Sequence, residues 1–174
     1  MRILICEDSE QNLQSAREFA EKVKGEHEVV MLERAGWAVA EVGRSGQVIS
    51  SVSHPDGRVT DVRYGDKVDC VLTDLYLPTS KGTSLPGGLC VALAALQLGV
   101  PVAIITDGNA HGDDELVAML SGVQNQNERL QRFIVGQRNR TGVKGETPDG
   151  RLIKDWEFCF NKLIFRICRQ WVRP

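Results

Sequence analysis

The chain has 174 residues, the length of one ordinary domain. Its 21 Lys+Arg against 23 Asp+Glu leave a formal net charge of −2, which excludes the global basic field that draws a protein onto nucleic acid. Hydrophobic residues make up 42% and charged residues 25%, as in soluble globular proteins; no apolar run nears the ~20 residues of a membrane span, and the start MRILICEDSE turns acidic too early for a signal peptide. The expectation is a cytoplasmic single domain over 1–174 that binds neither membrane nor nucleic acid directly.

The first apolar run, Arg2–Cys6, stops abruptly at Glu7, Asp8 and Ser9, as a buried parallel strand stops at the edge of a sheet. Leu13, Ala16, Ala20 and Val23 then recur at helical spacing, with Ser9 as N-cap and Gly25 as the stop. A second strand is expected at Glu28–Leu32 and a short Ala-rich helix at Ala35–Val42. In QVISSVSHPDGRVTDVRYG, two alternating runs flank Pro55, Asp56 and Gly57, the pattern of a β-hairpin.

Strand character returns at Val68–Thr73, which runs into Asp74; KGTSLPGG is loop, and Leu89–Leu98 is a helix stopped by Gly99. Pro101–Thr106 is another buried strand, Glu115–Leu120 a short helix, and Arg132–Val135 a fifth strand. The stretch GQRNRTGVKGETPDG is polar and Gly-containing, and a last helix runs from about Asp155 to Val172. Alternating strands and helices predict an α/β fold, a doubly wound and mostly parallel five-stranded sheet with helices on both faces and an inserted β-hairpin.

The five cysteines form no CxxC pair, and His27, His54 and His111 are scattered, so a zinc cage or a Cys/His nucleophile is not indicated. Cys6, Cys70, Cys90, Cys159 and Cys168 read mostly as small buried hydrophobes.

The functional crevice of such a sheet lies at the carboxyl ends of its strands. There the sequence delivers Glu7 and Asp8 from the first strand, Asp74 from the third, and Thr106, Asp107 and Gly108 from the fourth. Close carboxylates repel one another and are costly to bury without a counter-ion. A hard divalent cation such as Mg²⁺ relieves this, and one carboxylate can instead serve as a nucleophile and form an acyl phosphate. Any one of the three alone reads better as a helix cap or a solvated loop end; all three at strand ends, with Thr106 at the next, favour chemistry.

With ILICEDSE, VLTDLYLP and AIITDG together, the chain resembles a receiver domain of bacterial two-component response regulators, of the chemotaxis-regulator kind. The resemblance implies a flavodoxin-like receiver fold with insertions near 45–66 and 110–150; no output domain is expected, since the stretch after the last helix is too short for one. It implies that Asp74 accepts a phosphoryl group from a phosphohistidine of a sensor histidine kinase or phosphotransfer protein. Glu7, Asp8 and Asp74 would hold Mg²⁺ with the backbone carbonyl of Tyr76, and Thr106 would bond a phosphoryl oxygen and move inward. Enzymatic activity would extend at most to Mg²⁺-dependent self-phosphorylation and autodephosphorylation at the aspartate.

Receivers also carry a phosphate-pairing lysine at the end of their fifth strand, and no Lys-Pro follows Arg132–Val135. Lys154 is favoured over Lys144, because it stands just before the last helix and follows Leu152 and Ile153; strand five would then be as short as Arg151–Lys154. A solvated lysine near a helix start is the competing reading. Asp107 replaces the small residue that usually follows the switch threonine, and it would repel phosphate, assist a metal or cap the loop.

Two other functions compete with the phospho-accepting receiver. A pseudo-receiver would keep the fold as an unphosphorylated protein-interaction module, favoured by the missing Lys-Pro and by Asp107 and opposed by the complete acidic triad. A Mg²⁺-dependent phosphohydrolase would place a second Asp two residues after its nucleophile, where this chain has Tyr76. Along the last helix, Trp156, Phe160, Leu163, Ile164, Ile167 and Trp171 share one stripe expected to pack on the sheet. Phe158, Phe165 and Val172 lie nearly opposite and suggest a homodimer or downstream-target interface, against the alternatives of cover by the inserted segment or simple exposure.

Overall fold

Continuous apolar runs with acidic ends build the centre of the molecule. The computed structural model describes residues 1–44, 48–53, 59–63, 67–78, 84–105, 134–137, 143–146, 148 and 152–171. Strand β1 (Arg2–Cys6) pairs in parallel with β2 (Glu28–Leu32) on one side and with β5 (Cys70–Asp74) on the other. Next to β5 lies β8 (Val102–Ile105), and β9 (Ile134–Gln137) follows it, again in parallel. The order β2-β1-β5-β8-β9 is that of a doubly wound sheet, with the direction of winding switching at β1.

Alternation along the strands sorts the two faces. Leu4, Cys6, Val71, Val102 and Ile104 pack against α2 (Ala35–Arg44) and α3 (Gly87–Gln97) through Ala38, Val42, Val91, Ala92 and Ala95. Ile3, Ile5, Cys70, Leu72, Ala103 and Ile105 face α1 (Glu10–Val23) and α4 (Trp156–Trp171), meeting Ala16, Phe19, Trp156, Cys159, Phe160 and Leu163. Helices on both faces leave the strand ends free, and that edge carries the acidic residues. None of the helices in the described residues is long and apolar enough to cross a membrane.

The expected hairpin is present as β3 (Val48–Ser53) and β4 (Val59–Arg63), an antiparallel pair outside the main sheet; its turn, 54–58, lies outside the described residues. Gly99 ends α3 at φ 69, a left-handed conformation that glycine adopts without a side-chain clash. Ser9 occupies the N-cap position of α1, but its side chain makes no capping bond, and the helix starts on the Ser9 carbonyl instead.

Two expectations are corrected, and one strand was not anticipated. KGTSLPGG is not all loop: Ser84–Leu85 (β7) pairs antiparallel with Leu77–Pro78 (β6), and α3 already begins at Gly87. The polar stretch before the last helix contains β10 (Val143–Glu146), which pairs antiparallel with β11 (Leu152–Lys154). The fifth strand of the main sheet is β9, which overlaps the expected Arg132–Val135, and not Arg151–Lys154, where the strand present, β11, belongs to the separate pair; the span 110–150 holds β9 within it.

Candidate functional site

Register brings the acidic residues together. Ile5 lies beside Leu72 and Cys6 beside Thr73, so one more step sets Glu7 next to Asp74 at the carboxyl edge. By alternation both follow Ile3, Ile5, Cys70 and Leu72 onto the α1/α4 face. Ligand oxygens of Glu7, Asp8 and Asp74 lie within 4.8 Å of one another, with Asp8 exposed and the other two buried. Asp74 is 8% exposed and Glu7 only 1%.

Lys154 comes down from that same face. It ends β11, is 3% exposed, and its Nζ lies 2.5 Å from Glu7 Oε2 and 2.6 Å from Asp74 Oδ1. The Trp156 ring closes over the ammonium at 5.8 Å from its centroid. Glu7 Oε1 accepts the backbone N–H groups of Asp8 at 3.1 Å and Ser9 at 2.9 Å, so both oxygens of this carboxylate are engaged.

Burial raises the Asp74 carboxyl to about 6; the Lys154 ammonium opposes this and the Glu7 charge adds to it. Burial alone would depress the Lys154 ammonium, but Glu7 and Asp74 outweigh it and hold its pKa above the ordinary lysine value. Asp8 is also raised, first by burial and then by Asp74. Three carboxylates against one ammonium leave two negative charges, the complement of a divalent cation, and the oxygen donor set suits Mg²⁺.

The approach of α3 is as tight as the ion cluster. A Cβ on Gly88 would stand 1.7 Å from the Asp74 carbonyl oxygen, so only glycine lets the start of the helix pass beneath the strand end. The Gly88 N–H donates to the Leu75 carbonyl at 3.0 Å, and the Thr73 hydroxyl donates to the Asp74 carbonyl at 2.8 Å. The backbone bearing the Asp74 carboxylate is held from two sides.

Of the sequence candidates, Glu7, Asp8, Asp74 and Lys154 converge. Tyr76 follows two residues after Asp74 and is half-buried. Thr106 and Asp107 lie outside the described residues, immediately beyond Ile105, the residue paired with Asp74. Lys144 sits on β10. Cys6, Cys70 and Cys159 are buried, and burial raises all three thiols, Cys70 and Cys159 to about 12; the described buried cysteines are inert, Cys90 is exposed, and the side chain of Cys168 lies outside the described residues.

On α4, Trp156, Phe160 and Leu163 are buried and Ile164 is partly buried, while the side chains of Ile167 and Trp171 lie outside the described residues. Phe158 and Phe165 are exposed, with the Lys162 ammonium 5.6 Å from the Phe158 ring centroid; Val172 lies outside the described residues. Sequence reasoning missed Asn12, Ser15 and Gly88. The first two are polar residues three apart on the buried face of α1, and the third stands in the Pro-Gly-Gly run before α3; both signals are weak alone.

No protein-family model and no curated protein matches the chain. Solved structures do. The chain is similar to the bacteriophytochrome response regulator AtBRR at 20% identity, covering 99% of this chain and 96% of that one, with a TM-score of 0.55. The bacteriophytochrome response regulator RtBRR matches at 20% identity over 95% and 76%, with a TM-score of 0.52. A response regulator receiver domain protein from Clostridium thermocellum matches at 18% identity over 98% and 97%, with a TM-score of 0.50. At such identities the likeness is one of fold, and it agrees with the strand order and the helix layers described above. The chain has the fold of a response regulator receiver domain.

Proposed function

We propose that this chain is a phospho-accepting receiver whose nucleophile is Asp74. The observation that carries the reading is the placement of the Lys154 ammonium 2.6 Å from Asp74 and 2.5 Å from Glu7 at the carboxyl edge of the sheet. An Asp74 oxygen attacks the phosphorus of a phosphohistidine; the P–N bond breaks, its electron pair leaves with the imidazole, and an acyl phosphate remains on Asp74. Glu7, Asp8 and Asp74, with the Tyr76 carbonyl, would hold Mg²⁺, which supplies neutralisation of the charge on the transferred group. Lys154 pairs with the phosphoryl oxygens, and Glu7 keeps that ammonium aimed by sharing it with Asp74. Thr106 reads the phosphoryl group by a hydrogen bond, and the surface change that follows is the signal to a downstream protein.

The donor would be a sensor histidine kinase or a phosphotransfer protein. Phe158 and Phe165 on α4, both exposed, are the residues we assign to contact with a target or a second copy. Incubation with Mg²⁺ and acetyl phosphate, followed by intact mass measurement, tests the reading. A single phosphate adduct that is lost in Asp74→Asn is expected. No adduct at any donor concentration would instead support an unphosphorylated interaction module, and multiple turnover of the donor would support a hydrolase.

A further inference from the structure

Lys154 reaches the acidic cluster without help from the main sheet. The ladder of the five-stranded sheet ends with β9 at Gln137, and Lys154 sits at the end of the separate β10–β11 pair. A lysine at the end of a two-stranded ribbon has no sheet register to fix its height against Glu7 and Asp74. Something else must hold its backbone.

The structure assigns that task to α1. Asn12 Oδ1 accepts the Lys154 backbone N–H at 2.9 Å, and the Ser15 hydroxyl donates to the Lys154 carbonyl at 2.7 Å. Both peptide groups of one residue are thus gripped by two side chains three positions apart on one helix face. Asn12 is 5% and Ser15 4% exposed. The Trp156 indole N–H donates to the Asn12 carbonyl at 3.0 Å, which closes the contact on the far side of Lys154. The other end of the ion pair is tied to the same helix: Glu7 Oε1 is held by the backbone N–H groups of Asp8 and Ser9, and α1 starts at Glu10.

We infer that Asn12 and Ser15 are positioning residues that clamp the Lys154 backbone to α1 and so set its ammonium between Glu7 and Asp74. The role of that ammonium in phosphoryl transfer rests on the reading above; the clamp does not. Polar side chains are costly to bury unless they are hydrogen-bonded, and these two spend their bonds on a residue 142 and 139 positions away.

The test follows the Lys154 ammonium ¹H–¹⁵N cross peak, assigned by its loss in Lys154→Met, alongside the rate of phosphorylation by acetyl phosphate with Mg²⁺. Variants are Asn12→Leu, which removes the acceptor at similar volume, Asn12→Asp, which retains it, and Ser15→Ala, which deletes one oxygen. Asn12→Leu and Ser15→Ala should move or broaden the peak and slow phosphorylation about tenfold, as expected for the loss of one buried hydrogen bond at a reacting site. Asn12→Asp should keep the peak near its wild-type position. An unmoved peak in folded Asn12→Leu and Ser15→Ala overturns the clamp, whatever the rate does. If Asn12→Leu does not fold, Ser15→Ala decides. A moved peak with an unchanged rate upholds the clamp and overturns the catalytic role of Lys154. A wild type that takes no phosphate fails the proposed function, and the peak still decides the clamp.

Discussion

Replacing Lys154 with methionine keeps most of the apolar stem and removes the ammonium that touches both Glu7 and Asp74. Removing one partner of a buried ion pair costs about 3–5 kcal/mol when the remaining charges stay ionised. Asp74 can escape part of that cost by taking a proton. Its carboxyl already lies at about 6 with the ammonium present, and the ammonium is the neighbour that most lowers it. Without Lys154 the folded-state value must climb further, while the unfolded value stays near ~4.

A carboxyl raised in the folded state contributes stability that is present below ~4 and is lost as the pH rises through the folded value. The gap between wild type and Lys154→Met is therefore narrowest at about pH 5 and widest at about pH 8. At the higher pH the expected loss is about 3–5 kcal/mol, roughly 6–20 °C in Tm for a chain of this length. Urea unfolding at the two pH values measures it. A loss below about 1 kcal/mol at the higher pH, or a gap that widens toward the lower one, would refute a Lys154 that balances buried carboxylates.

Two further outcomes follow from the same geometry, and a third from the role proposed for Thr106. Gly88→Ala sets a methyl group 1.7 Å from the Asp74 carbonyl oxygen, so either the helix or the strand end must move; we expect a loss of about 1–3 kcal/mol or more in chemical denaturation, despite alanine's better helix propensity. Leu163→Ala, fully buried between α4 and the sheet, should cost about 2–5 kcal/mol, whereas exposed Phe165→Ala should stay within about 0.5 kcal/mol; equal losses in thermal unfolding would contradict the packing of α4. Thr106→Ala should still accept phosphate at Asp74 but lose the phosphorylation-dependent NMR shifts, since a hydroxyl that reads the phosphoryl group takes no part in its transfer. An intact shift pattern in that variant would count against the switch.

The legible part of this molecule is its sheet. Buried parallel strands read as short apolar runs, and Arg2–Cys6, Glu28–Leu32 and the run into Asp74 stop where water and charge begin. Because the crevice of such a fold lies at those stops, Glu7, Asp8 and Asp74 could be grouped before any contact was seen. Lys154 was legible through its place before the last helix and the apolar pair Leu152 and Ile153 ahead of it, but the ribbon to which its short strand belongs was not. Val143–Glu146 has Lys and Gly at its centre and no alternation, so β10 is held by its partner across the ribbon and leaves no local pattern. The two-residue strands Leu77–Pro78 and Ser84–Leu85 are too short to show a period. Asn12 and Ser15 escaped because an amphipathic reading counts apolar residues, and here the buried face of α1 uses two polar ones on a backbone far away in sequence.

Borohydride reduction of the chain after treatment with Mg²⁺ and acetyl phosphate is the most direct measurement of the central claim. It converts an acyl phosphate to an alcohol, so mass-spectrometric sequencing should find homoserine in place of aspartate at position 74 and at no other carboxylate. Reduction at Glu7 or Asp8, or a phosphate that resists borohydride and maps to a hydroxyl, would contradict Asp74 as the nucleophile.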